Sequence, residues 1–227
     1  MTTSPVDPTR SVVRLIRVLV PVILLAWACL FPPPASAGAP TDQLKAPVDE
    51  VIRILRDPKL KPESMAAARR AAIRKEAESI FDFQETAKRA LGRHWQNLSA
   101  AEQREFVSLF TDLLERSYLV KIERYSGEPI VYTGDNIEGE LATVKTKFIT
   151  KQGTEIPIEY RLLRHGARWL VYDVFVEGVS LIANYRTQFD RIMRTGSYQE
   201  LARRLRANQS EFGGPGGSQQ GARMPGS

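Results

Sequence analysis

The sequence predicts an α+β fold in which helices pack on a strongly twisted four-stranded antiparallel sheet and enclose an apolar, cone-shaped interior. Two changes of period carry that expectation. Apolar residues recur at helical spacing as far as Ile122, alternate with period two from Pro129 to Glu177, and return to helical spacing after Ser180. Composition supplies a third observation: the 227 residues are 43% apolar and 26% charged, enough for one domain with a core and too few for two large ones. A disordered chain is excluded on the same grounds.

Residues 1–37 have the pattern of a cleaved signal peptide. Arg10, Arg14 and Arg17 form a positive n-region, residues 18–31 are an apolar run, and Ala35-Ser36-Ala37 supplies the small-x-small cleavage site. The run is shorter than the ~20 residues of a spanning helix, and Pro21 interrupts it, so an uncleaved anchor is the weaker reading. A lipoprotein centred on Cys29 is weaker again, because Trp27 stands where lipidation favours small side chains. Cys29 is the only cysteine, and its loss with the leader leaves no thiol for nucleophilic, zinc-binding or redox chemistry. Of 32 Lys and Arg and 26 Asp and Glu, three Arg and one Asp precede residue 38, so the remaining chain carries +4. The charges alternate in sign along the chain. That argues against nucleic acid as a partner and suits transient contact with an anionic membrane surface or an acidic partner.

The folded part is expected over residues 38–208. A flexible Gly-rich tail follows over 209–227, where Gly213-Gly214-Pro215-Gly216-Gly217 lacks apolar periodicity. Pro47 is expected in the first turn of a helix carrying Val48, Val51, Ile52 and Leu55 and stopped by Asp57-Pro58. Residues 63–78, rich in Ala and Arg, form a second helix, and Phe83–Leu91, closed by Gly92, a third. The fourth starts at a Ser99-Glu102 capping box and aligns Phe106, Leu109, Phe110, Leu113, Leu114 and Ile122 on one face. Ile182, Tyr185, Phe189, Ile192 and Met193 mark a later helix; Tyr198, Leu201 and Leu205 mark a shorter one.

Between them, residues 129–133, 140–150, 154–164 and 168–177 read as strands, with turns at Gly134-Asp135-Asn136, Lys151-Gln152-Gly153 and His165-Gly166-Ala167. If the last two loops are three residues long, Phe148 lies opposite Ile156, Val144 opposite Tyr160 and Ala142 opposite Leu162. Leu162 then faces Leu170, Tyr160 faces Tyr172, Ile158 faces Val174 and Ile156 faces Val176. One face thus collects only apolar or aromatic residues at these pairs. The reverse face mixes Glu159, Arg161, Asp173 and Glu177 with Trp169, Val171 and Phe175. Arg161 is expected diagonal to Asp173, so a structural ion-pair cluster accounts for these charges better than acid–base work does.

Catalytic chemistry has little support. His165 falls in an expected turn, His94 lies just beyond a helix end, and Ser180 lacks the flanking glycines of a nucleophile elbow. No phosphate loop, His-Glu-x-x-His pair or calcium loop occurs, so no catalytic residue, metal ligand or cofactor is assigned.

The stretch from Trp169 to Leu181, followed by Asn184-Tyr185-Arg186 and Gln188-Phe189, resembles the C-terminal core of the MlaC family, periplasmic phospholipid carriers also called toluene-tolerance auxiliary proteins. Phe81-Asp82-Phe83, Ala90-Leu91-Gly92, Trp95, Glu102-Gln103, Phe106, Leu113-Leu114 and Tyr118 fit the same family in order. The resemblance spans residues 48–205; the Gly-rich tail and the leader Cys depart from it. It implies an NTF2-like cone whose apolar pocket takes phospholipid acyl chains. It also implies no enzymatic step, and a shuttle between an inner-membrane ABC transporter complex and an outer-membrane lipoprotein complex. The pocket would be lined by Phe106, Phe110, Leu113, Ala142, Val144, Phe148, Ile156, Ile158, Tyr160, Leu162, Leu170, Tyr172, Val174, Val176, Ile182, Tyr185 and Phe189. A related branch is associated with hopanoids, which leaves the lipid class open. A cone enzyme acting on an apolar substrate would need an ionisable group on the apolar face, where the register offers only Tyr160 and Tyr172.

Overall fold

The computed structural model describes residues 39–207 and Phe212; the expected signal peptide over 1–37, and the expected tail apart from Phe212, lie outside the described residues. Helix α1 (Pro40–Arg56) leads through a 3-10 turn (Glu63–Met65) into α2 (Ala66–Ile80). Helix α3 (Phe83–Leu91), a 3-10 segment (Gly92–Asn97) and α4 (Ala100–Glu123) complete the first half. The strands β1 (Ile130–Glu138), β2 (Leu141–Ile149), β3 (Glu155–His165), β4 (Arg168–Val176) and β5 (Val179–Ser180) form one antiparallel sheet in chain order. Helices α5 (Leu181–Thr195) and α6 (Tyr198–Arg206) follow. Among the described residues no helix is long and apolar enough to cross a membrane.

The α+β class is as expected, with five strands instead of four. The extra strand forms because Glu177 and Gly178, at φ +52° and +79°, reverse the chain tightly and bring Val179 back onto Val176.

Helix α1 starts at Pro40, seven residues before the expected Pro47. Pro40 suits a first turn, where its missing N–H costs nothing, and Pro47 is carried in the interior, where it leaves the Gln43 carbonyl without its i+4 donor. The Ala39 cap has no side chain to offer, and Asp135 of β1 supplies one: its Oδ2 accepts from the Thr41 N–H at 3.2 Å and from the Thr41 hydroxyl at 2.6 Å. Gln43 donates from Nε2 to the Ala167 carbonyl at 3.0 Å, and its Oε1 accepts from the Trp169 N–H at 2.8 Å. The first half of α1 is therefore held across the sheet by polar contacts from β1, the β3–β4 turn and β4.

The local signals for α3 and α4 hold. Asp82 caps α3 by accepting from the Glu85 N–H at 2.8 Å, and Gly92 ends it at φ +57°. The Ser99 hydroxyl accepts from the Glu102 N–H at 3.3 Å while Glu102 Oε2 accepts from the Ser99 N–H at 2.9 Å, the reciprocal box that starts α4. Ile122, expected on the buried face of that helix, is exposed.

In the sheet, the β2–β3 hairpin has the expected register: Phe148 opposite Ile156, Val144 opposite Tyr160, Ala142 opposite Leu162. Two other expectations are corrected. The Gly134-Asp135-Asn136 segment is no turn; β1 runs on through it to Glu138, with a bulge between Tyr132 and Gly134, and the reversal falls at Gly139. The β3–β4 turn has two residues, Gly166 and Ala167, so His165 pairs with Arg168 and Leu162 with Val171, not Leu170. A second bulge then inserts Tyr172, after which Arg161 pairs with Asp173, Tyr160 with Val174 and Ile158 with Val176. Trp169 and Val171 thus join the apolar face, Leu170 turns to the reverse one, and Tyr172 stands out of register.

Helix α3 docks on that bulge. The Asp82 N–H donates to the Val171 carbonyl at 2.9 Å, the Thr86 hydroxyl to the Tyr172 carbonyl at 3.2 Å, and the Arg89 guanidinium lies 3.9 Å from the Tyr172 ring centroid.

Among the described residues the apolar interior falls into three clusters. Helices α3 to α6 share the largest, built on Phe106, Phe110, Tyr185 and Phe189. Leu44 of α1 packs with Ala142, Val144, Leu162, Trp169 and Val171 on the sheet in a second. Ile54 of α1, Ile73 of α2 and Leu119 of α4 make the third. The last is flanked by Glu123, which takes Arg69 at 2.9 Å and Arg70 at 3.1 Å across the α2–α4 contact; these guanidinium groups, Arg70 foremost, hold its carboxyl below the usual carboxylate range.

Candidate functional site

Side chains paired in register share a face, so the inner surface of the sheet can be written row by row. The row Ala142–Leu162–Val171, with Val144 beside it, is fully buried beneath Leu44. Toward the other end the rows Val144–Tyr160–Val174, Thr146–Ile158–Val176 and Phe148–Ile156 open up. There Phe148, Ile156, Ile158, Tyr160, Val174 and Val176 are all half-buried. One end of the face is a core and the other an apolar wall with accessible surface.

Polar groups on this wall are few and accounted for. The Thr146 hydroxyl, buried, donates to the Ile158 carbonyl at 3.4 Å. Burial pushes the Tyr160 hydroxyl up, opposed by the hydroxyl of Thr146. Tyr132 of β1, paired with Thr146, is raised by burial and then by the proximity of Tyr160 and Asp49. These phenols stay neutral at physiological pH and present no charge to the wall.

The residues expected to line a pocket divide accordingly. Phe148, Ile156, Ile158, Tyr160, Val174 and Val176 share the half-buried wall. Ala142, Val144 and Leu162 lie in the buried sheet core. Phe106, Phe110, Leu113, Ile182, Tyr185 and Phe189 are packed into the helical cluster. Leu170 and Tyr172 leave the face, for the reasons of register given above. Sequence reasoning missed Tyr132, which lies in the expected strand 129–133 but was given no partner, and put Trp169 and Val171 on the wrong side, because the β3–β4 turn is one residue shorter than expected.

The charged groups of the reverse face serve other ends than expected. Arg161 donates to Thr143 Oγ1 at 2.7 Å and to Glu159 at 3.0 Å, and lies over the Phe175 ring, so it is not the partner of Asp173. Asp173 is instead a cap for α5: its carboxylate accepts from the Ser180 hydroxyl at 2.6 Å and from the N–H groups of Val174 at 2.8 Å and Ile182 at 3.2 Å. Burial raises its pKa despite these donors and the nearby Arg186. Asp173→Ala should cost about 2–3 kcal/mol, since three donors lose their acceptor, and Asp173→Asn, which keeps an acceptor oxygen, about 1 kcal/mol. The folded pKa is above the unfolded one, so this group's contribution is fullest below about pH 4 and is lost as pH rises through the folded value. The stability gap between wild type and Asp173→Asn, read by denaturant unfolding, should therefore shrink as pH rises; a gap that widens would contradict the assignment.

Both histidines have partners. His94 Nε2 lies 2.9 Å from Asp190, which also takes Arg93 and Arg194, and His165 Nε2 lies 2.9 Å from the α3 cap Asp82. Among the described residues no group of three or more His, Cys, Asp or Glu is placed to hold a metal ion.

Helices packed with an open antiparallel sheet, one end of whose apolar face is buried and the other half-buried, define the α+β class of this domain. The chain belongs to the MlaC family: the family model described as "MlaC protein" matches residues 45–207. A curated relative, the intermembrane phospholipid transport system binding protein MlaC of Haemophilus influenzae, is 20% identical over 147 residues, covering 63% of this chain and 69% of the relative. A phospholipid-binding protein from Ralstonia solanacearum, solved in complex with a phospholipid, shares the fold with a TM-score of 0.67 at 23% identity, over 75% of this chain and 96% of that one.

Proposed function

We propose that this protein is a soluble carrier, without catalysis, that encloses the acyl chains of a phospholipid and moves it across the periplasm after export and removal of residues 1–37. Its partners on this reading are an inner-membrane ABC transporter complex and an outer-membrane lipoprotein complex. The observation that carries the proposal is the divided interior. A domain of this size ordinarily has one contiguous core with smaller satellites, and here the described sheet and helices carry separate clusters whose edges are half-buried apolar side chains: Tyr160 and Val174 on the sheet, Val51 and Leu55 on α1, Leu114 and Tyr118 on α4. That arrangement suits a guest that completes the core.

Energetics favour a protein escort. Two acyl chains hold about 30 methylene-sized groups, and at about 0.8 kcal/mol each their exposure to water costs roughly 25 kcal/mol. A carrier has only to keep those groups covered and release them where a partner offers an equally apolar path. Protein purified without detergent from its native compartment should yield about one diacyl phospholipid per chain on extraction and mass spectrometry. Lipid-free protein, or recovery of hydrolysed lipid in its place, would refute the proposal; hopanoid in place of phospholipid would change the ligand class.

A further inference from the structure

The positive charge of the chain is concentrated at one place. Residues 38–180 hold 22 basic and 22 acidic side chains and residues 207–227 one of each, so the whole excess of +4 beyond residue 37 resides in α5 and α6. Those two helices carry six Arg and no Lys, against Asp190 and Glu200 alone. Both acids are outnumbered: Asp190 takes Arg93, His94 and Arg194, and Glu200 takes Arg203 and Arg204. The acids that reach this layer from α4 are committed as well, Glu102 to the Ser99 cap and Glu105 to Tyr198 and Arg206. Arg191, exposed on α5, has no ion pair among the described residues. Arg191 and Arg204 line a cleft of about 320 Å³, whose other described lining is Gln188, Ile192 and Phe212. Ile192 and Phe212 are largely buried and give it an apolar floor.

We infer that the outer face of α5 and α6 is a docking surface for an anionic phospholipid bilayer, with the cleft taking a lipid phosphate on Arg191 and Arg204. The residue types fit that ligand. A guanidinium fork meets phosphate oxygens two at a time, which an ammonium does not, and the apolar floor suits the first carbons of the lipid behind the phosphate. Charge of one kind spread along two helices matches a plane of headgroups. The side chains that could give directional detail are turned inward: the Thr187 hydroxyl donates to the Ala183 carbonyl at 3.1 Å and that of Thr195 to the Arg191 carbonyl at 3.0 Å. What the face offers is guanidinium charge, which serves a diffuse layer of phosphates better than the ordered backbone of an acidic peptide. The exposure of Arg194 and Arg203, 61% each, leaves both able to reach such a layer while still holding Asp190 and Glu200. The inference stands apart from the lipid wall of the sheet, and the two are separable by experiment.

The test is co-flotation of purified protein with vesicles of phosphatidylcholine, either alone or with about one-third phosphatidylglycerol. Wild type should float with the anionic vesicles only, and about 0.5 M salt should release it. Arg191→Gln should weaken binding about five-fold, and the double variant with Arg204→Gln, in which Arg203 still holds Glu200, about 25-fold. Lys145→Gln makes the same change of net charge on the exposed reverse face of the sheet and should bind like wild type. Ile158→Glu, altered on the lipid wall, should also bind like wild type. No binding of wild type to anionic vesicles, equal binding to neutral ones, or losses as large in Lys145→Gln as in Arg191→Gln would overturn the inference. So would binding that survives in the Arg variants and disappears in Ile158→Glu, which would be uptake of lipid by the wall. Protein that ignores both vesicles yet binds a Glu-rich peptide through Arg191 would assign the face to an acidic protein partner and overturn the bilayer.

Discussion

Ile158→Glu should leave the protein folded and empty of lipid. Ile158 is half-buried in the row between Thr146 and Val176, outside all three buried clusters, so the fold does not depend on its side chain. A carboxylate there meets the isoleucine and valine side chains of the wall, with Thr146 already committed to a backbone carbonyl. Burying that charge against acyl chains costs at least about 3 kcal/mol, or about 100-fold in affinity. Lipid per chain, measured on protein whose circular dichroism matches wild type, should fall below detection; Ile156→Glu, one row along, should behave alike. The contrast is Val144→Glu, which lies in the sheet core with no exposed surface and should fail to fold. Normal lipid content in both folded wall variants would show that this surface is not where the guest lies.

Phe189→Ala should produce the largest loss of stability. Its ring is fully buried and centres an aromatic cluster, 5.6 Å from Phe106, 5.3 Å from Phe110, 5.9 Å from Tyr185 and 5.6 Å from Phe212. Truncation removes the transfer energy of the ring and leaves a cavity that four rigid neighbours cannot close, at about 3–5 kcal/mol. For a domain of this length the midpoint of thermal unfolding should drop by about 10 °C. A loss under about 1 kcal/mol would mean that the helical cluster is not a close-packed core. Stability near wild type together with loss of lipid would return Phe189 to the lining where the sequence had suggested it.

These two residues looked alike in the sequence, and the reason bears on how much of the site was legible there. Periodicity reports which side of an element is apolar; it does not distinguish residues packed on one another from residues facing a guest. The helices were legible through their caps, Ser99 with Glu102 and Asp82 with Gly92, because those signals are local. The β2–β3 register was legible because Gly153, at φ +80°, allows the three-residue loop that the sequence suggested. The β3–β4 register was not, since its turn is one residue shorter and Tyr172 is then inserted, and nothing in the alternation of types announces a bulge. Gly134-Asp135-Asn136 misled in the opposite way, by looking like a turn where a bulge lets the strand continue. Pro47 reads as a helix start because nothing near it shows that Asp135, distant in sequence, caps a helix beginning at Pro40.

Tyr172 divides β4 into two segments of opposite parity. Before it the odd-numbered Trp169 and Val171 point inward; after it the even-numbered Val174 and Val176 do. The segment that holds the core and the segment that faces the wall are thus out of phase, joined by a residue whose carbonyl and ring are both held by α3. Deleting that one residue would restore unbroken alternation with Trp169, Val171, Val174 and Val176 all still inward, and would keep both pairings with β3, Leu162 with Val171 and Arg161 with Asp173. What it would take away is the carbonyl and the ring on which α3 is held. The extra residue is thus a docking point for a helix that the ladder itself does not need.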